Sequence, residues 1–143
     1  MAIQIKRVYE KPARGDGTRV LVDRLWPRGL TKEAAAADAW LRDIAPSDEL
    51  RKWYHANPEG WPNFRKRYVK ELKVPAAAKA LEELYSLVGK KKNLTLLFGS
   101  RNLELNNATV LKELLEGTRK PPTGSGPGAI QSAGLRRAAV RRR

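Results

Sequence analysis

Apolar residues at Ile3, Ile5 and Val8 alternate with polar ones, a spacing that reads as a short strand. Lys11 to Gly17 then supplies proline, glycine and aspartate for an exposed turn. Thr18 to Val22 is a β-branched apolar run and predicts a buried strand, which Pro27 separates from the helical region beyond it. From Thr31 the period changes to that of helices. Lys32 to Asp43 carries Ala34, Ala37, Trp40 and Leu41 on one face behind a Thr31 cap. Ser47 caps a second helix with Asp48 and Glu49 in its first turn and Leu50, Trp53 and Tyr54 as its stripe. A third starts at Asn57-Pro58 with Trp61, Phe64, Tyr68 and Leu72, and a fourth runs from Pro75 to Gly89. Asn93 to Phe98 is nearly all apolar, as in a strand covered on both faces. Gly99 to Asn102 forms a turn, and Leu103 to Glu116 a last helix.

This order predicts an α/β fold: a small, mainly parallel, Rossmann-like three-layer sheet with helices on its faces. If strands 18–22 and 93–98 are neighbours, the long helical crossover between them favours parallel pairing with a right-handed connection. One domain is expected over 1–118. Residues 119–143, opening with Pro121 to Gly128, have the composition of a disordered tail rich in Gly, Pro and Arg.

Charge changes this picture little. The chain has 143 residues and a net charge of +14, and half of that excess comes from the acid-free tail. With no Cys and one His, disulfides, thiol nucleophiles, thiolate metal sites and paired-histidine metal sites are excluded. No metal or cofactor is expected. No window approaches the ~18 apolar residues of a membrane span, and the first residues do not resemble a cleavable leader. A cytoplasmic protein without membrane contact is the expectation.

Candidate chemistry follows from the parallel sheet, because such sheets bind ligands beyond the carboxyl ends of their strands. Two polar loops should meet there, Asp23 to Gly29 and Gly99 to Asn102. Arg24, Arg28 and Arg101 offer forked donors for phosphate or carboxylate, while Ser100 and Asn106 add polar contacts. A helix starting directly after the second loop would aim free amides at the same anion. Asp23 is the one carboxylate of the first loop and the acid/base candidate. The same residues also admit an internal reading, with Asp23 paired to an arginine and Trp26 plugging the core. The expected partner is therefore a small anionic ligand. The alternative is a nucleic-acid-associated accessory protein using the basic tail and the basic helical face around Arg65, Lys66 and Arg67. On that face, helical spacing explains the aromatic residues more simply as core.

The segment Arg19 to Leu30, containing Asp23-Arg24-Leu25-Trp26-Pro27-Arg28-Gly29, followed by Trp40 to Ser47 and Leu50 to Tyr54, resembles the YeaO-like bacterial family, domain of unknown function 488. The likeness continues through Trp61, Phe64, Tyr68, Leu72, Leu96 to Phe98 and Asn106 to Ala108, so it spans about residues 3–116. It transfers no reaction. Members usually read Glu-His-Asn-His/Gln-Ala at the last helix, where this chain has Glu104-Leu105-Asn106-Asn107-Ala108. Members often read Gly-His-Asp-Pro where it has His55-Ala56-Asn57-Pro58. The resemblance thus implies that any chemistry resting on those histidines is lost or altered here.

Overall fold

Four parallel strands in the order β1-β4-β2-β3 organise the chain, seen in a computed structural model that describes residues 2–89 and 92–117. They are β1 (Ile3–Arg7), β2 (Thr18–Leu21), β3 (Ala39–Trp40) and β4 (Leu94–Phe98). Ile3 pairs with Leu94 and Arg7 with Phe98 on one side of β4. Thr18 pairs with Leu94 and Leu21 with Leu97 on the other. Every residue of β4 is buried, as its continuous apolar run requires of a strand flanked on both edges and covered on both faces. The tail assigned to 119–143 lies outside the described residues.

The helices are α1 (Lys32–Ala35), α2 (Asp48–Ala56), α3 (Trp61–Glu71), α4 (Pro75–Ser86) and α5 (Asn107–Gly117). Side-chain alternation along the strands makes two cores. Val20, Leu94, Leu96 and Phe98 join Leu50, Phe64, Tyr68, Leu81, Leu84 and Leu111 under the layer of α2 to α5. Leu21 and Leu97 point the other way and pack with Val8, Ala35, Trp26 and Trp40. The Tyr54, Trp61, Phe64 and Tyr68 rings contact one another in series, with the Tyr54 and Phe64 centroids 4.3 Å apart. These aromatics therefore belong to the core beneath the helices.

Three expected boundaries are corrected. The helix over Lys32 to Asp43 stops at Ala35, Ala36 turns left-handed (φ 48°, ψ 41°), and the chain enters the sheet as β3. Tertiary hydrogen bonds explain the switch. Buried Arg19 donates to the carbonyls of Ala35 (2.8 Å) and Ala36 (2.9 Å), and Asp38 exchanges bonds with the Arg19 backbone, drawing residues 36–40 onto β2. The third helix begins at Trp61, because Asn57 is used in a turn: its carbonyl accepts from Gly60 N–H and its side chain donates to Trp53 O. The last helix begins at Asn107, four residues later than its periodicity suggests.

The crossover is fastened by polar groups as well as by burial. Ser47 caps α2 by accepting from Leu50 N–H, and its own N–H and O–H donate to the two oxygens of Glu71 at the end of α3. Tyr68 donates to Ile44 O at 2.5 Å, a bond sealed inside the core.

Candidate functional site

All four strands are parallel, so Arg7, Gly99, Asp23 and Arg42 emerge from β1, β4, β2 and β3 at one edge of the sheet. The two loops singled out in the sequence do meet there. Asp23 Oδ2 accepts from Gly99 N–H at 2.7 Å, joining the ends of β2 and β4. A Cβ on Gly99 would lie 3.2 Å from that oxygen, so the absence of a side chain is what permits the approach.

Among the described residues Asp23 forms no ion pair with an arginine. Its Oδ1 accepts from the Asn107 side-chain amide at 3.1 Å, and the same amide also donates to Val22 O at 3.0 Å. Burial raises the Asp23 pKa above the ordinary aspartate value, against the lowering pull of the Asn107 amide, the Gly99 N–H and the Arg51 charge. The carboxyl therefore sits between three elements with both oxygens engaged.

The other expected contacts divide into two groups. Arg24 is half-buried and turns inward, donating from Nη2 to Ala45 O (3.1 Å) and from Nε to Pro46 O (3.4 Å). Asn106 is buried and caps α5, its Oδ1 accepting from Thr109 N–H while its amide donates to Asn102 O. Ser100 accepts from Asn102 N–H. These three hold the loops in shape. Because α5 begins only at Asn107 and Asn106 caps it, Ser100 and Arg101 do not lead straight into free helix amides, contrary to the expected geometry. Arg28 and Arg101 are exposed and, among the described residues, form no ion pair.

Sequence reasoning missed Arg7 and Tyr9. Arg7 Nη2 donates to Gly99 O at 2.9 Å, its guanidinium lies 4.8 Å from the Tyr9 ring centroid, and its buried Nε has no hydrogen-bond partner among the described residues. The Tyr9 hydroxyl donates to Arg28 O, and the ring lies beside Gly99. Arg28, Tyr9, Arg7 and Gly99 thus form one continuous surface leading to Arg101. The usable signal was the arginine ending an otherwise regular β1, which parallel pairing carries to the ligand edge. Trp26 is half-buried, edge-on to Trp40 at 5.4 Å, and Trp40 donates to the Asp23 backbone carbonyl.

Of the histidine positions implied by the resemblance, 105 and 107 lie in the 99–106 loop and at the start of the helix that follows it. Tyr54, two residues before exposed Ala56, donates to Leu105 O, so α2 and the 99–106 loop are in contact. At 107, where the resemblance implies histidine or glutamine, this chain places an amide against Asp23. An amide orients the carboxylate but carries no titratable proton, so no imidazole completes an acid/base pair there. His55 is exposed on α2. Among the described residues no cluster of His, Asp or Glu suits a metal ion, and no helix is long and apolar enough to cross a membrane.

A parallel α/β domain in which a buried carboxylate, Asp23, ties the ends of β2 and β4 to the start of α5 is the class of protein these features define. The chain belongs to the DUF488-N3i family, described as the inactive DUF488-N3 subclade, whose profile matches residues 2–127. It is 43% identical over 115 residues to "Uncharacterized protein YeaO" of Escherichia coli (strain K12), covering 80% of this chain and 97% of that one. It is equally identical over 115 residues to "Uncharacterized protein Rv3073c" of Mycobacterium tuberculosis (strain ATCC 25618 / H37Rv), covering 80% of this chain and 94% of the relative. No solved structure matches.

Proposed function

We propose that the protein binds a small anionic ligand, phosphorylated or carboxylated, at the carboxyl edge of its sheet and does not transform it. The observation that carries this reading is Arg7: a half-buried guanidinium with no carboxylate partner among the described residues and with a buried Nε lacking an acceptor. Half-buried positive charge without a counter-ion favours an anion beside it. Arg28 and Arg101 flank the same surface with free forks for its oxygens. Catalysis is disfavoured by the same geometry. Asp23 accepts two hydrogen bonds that fix the scaffold, so using it as a base would loosen β2, β4 and α5 together. The description of the subclade as inactive agrees.

Calorimetric titration of the full chain with inorganic phosphate and with citrate tests this. One of the two anions binds, the Arg28→Ala/Arg101→Ala double variant weakens that binding about tenfold or more, and the anion is recovered unchanged. If neither anion binds, or if the double variant binds as tightly as the parent, the reading is wrong.

A further inference from the structure

The opposite, amino edge of the sheet holds a second feature that the carboxyl-edge reading does not use. A cleft of about 310 Å³ opens between the turn before β2 and the residues leading into β4, lined by Arg14, Gly15, Gly17, Lys92 and Asn93. Its floor is backbone held by short-range and long-range hydrogen bonds. Thr18 N–H donates to Asn93 O at 2.8 Å, the Asn93 amide donates to Gly15 O at 2.9 Å, and Asn93 Oδ1 accepts from Ala2 N–H. Gly17 has φ +64°, and a Cβ there would collide with Asn93 O, so the two loops touch only because position 17 lacks a side chain.

Arg14 and Lys92 line this cleft from the turn before β2 and from the residues leading into β4. Both are exposed, and neither joins an ion pair among the described residues. The carboxylate adjacent in sequence, Asp16, does not neutralise them. It is buried, and its oxygens accept from Arg19 (2.5 Å), Lys6 (3.1 Å) and Ala13 N–H (3.0 Å). Asp16 is thus engaged by Lys6 and Arg19, and the two cations that line the cleft, Arg14 and Lys92, have no carboxylate partner among the described residues. Among the described residues no aliphatic or aromatic side chain lines the cleft, and such apolar walls are what hold drug-sized metabolites. It matches a compact, hydrated, multiply charged oxyanion.

We infer that the cleft between Arg14 and Lys92 is a phosphate-binding site, distinct from the arginine-lined carboxyl edge. The phosphate comes either as a free phosphate group or from the backbone of a nucleic acid, and the chemistry of recognition is shared.

The test follows amide NMR signals of the full chain during titration with inorganic phosphate and, separately, with a short oligothymidylate. Phosphate is expected to move the Gly15, Gly17 and Asn93 signals along a saturating curve. Arg14→Ala/Lys92→Ala is expected to weaken that curve about tenfold or more while leaving the melting temperature unchanged, since neither side chain has an ion-pair partner among the described residues. Arg28→Ala/Arg101→Ala leaves the same curve intact, which separates this site from the other edge. If the phosphate comes from a nucleic-acid backbone, the oligonucleotide moves the same signals at lower concentration. The Arg14→Ala/Lys92→Ala variant then shows a salt slope shallower by about 1.4, roughly 0.7 per lost cation on a single strand. An oligonucleotide that leaves these signals still assigns the site to free phosphate. If neither probe moves them, or if the double variant binds both as the parent does, the inference fails.

Discussion

Asp16 and Asp23 lie at opposite edges of the sheet and are tuned in opposite directions. Burial pushes Asp16 up, but the Ala13 N–H, Lys6 and Arg19 together outweigh it, and its pKa is held below the ordinary aspartate value. For Asp23 burial wins, and the pKa is raised. A lowered folded-state pKa means that Asp16 contributes stability above the unfolded-state value and loses it as pH falls through the folded one. A raised one means that ionised Asp23 is disfavoured: its stabilising contribution is complete below the unfolded-state value and is lost as pH rises through the folded one. Carbon-detected NMR titration should therefore give Asp23 the higher midpoint and Asp16 the lower. Asn107→Ala should raise the Asp23 midpoint further by removing a donor to its carboxylate. A midpoint for Asp23 below that of Asp16 would contradict this account. Asp16→Ala strands Arg19 without its counter-ion in a site only 4% exposed. Urea unfolding should register a loss of about 3–5 kcal/mol, the range for breaking one side of a buried pair.

At the scale of elements, the stretch 32–44 shows how tertiary bonds overrule propensity. Its alanines and leucine favour a helix, yet Arg19 captures the carbonyls of Ala35 and Ala36 and Asp38 captures the Arg19 amide. One residue bears the conformational cost. Ala36 is the non-glycine residue with positive φ among those described, a conformation that costs L-residues about 1–2 kcal/mol. Ala36→Gly should accordingly stabilise the protein by about 1 kcal/mol, measured as a higher urea midpoint at unchanged slope. A destabilisation would show that the Ala36 methyl packs more strongly than its backbone is strained. The loop 99–106 departs from the sequence reading for a related reason. Asn102 Oδ1 accepts from Glu104 N–H and Leu105 N–H, and Asn106 spends its side chain on both neighbours, so these amides make a folded loop where periodicity suggested the first turn of a helix.

At the scale of the whole molecule, β4 is common to both cores: Leu96 faces the helical layer and Leu97 faces the layer of Trp26 and Trp40. The two layers should therefore unfold as one unit. Leu96→Ala and Leu97→Ala are each expected to cost about 2–5 kcal/mol. In each variant tryptophan fluorescence and far-ultraviolet circular dichroism should give coincident transitions. Separated transitions would mean that the layers are independent.

Much of this architecture was legible from residue order alone. Strands at 18–22 and 93–98, their parallel pairing, the cap at Ser47, the helix start at Pro75 and the meeting of the loops after Val22 and Phe98 all follow from local signals, because period, cap chemistry and crossover length are properties of short stretches. Partners brought from far along the chain are not. That Arg24 would be absorbed by the carbonyls of Ala45 and Pro46, that Asn107 would claim Asp23, that Arg7 would stand beside Tyr9 with no carboxylate partner among the described residues, and that Arg14 and Lys92 would line one cleft all depend on which distant groups the sheet brings within hydrogen-bond or charge range. Patterning selects the layers, since it governs how apolar area is buried. The assignment of each polar side chain to scaffold or to ligand is settled only when burial removes water and leaves every donor to find its acceptor within the fold.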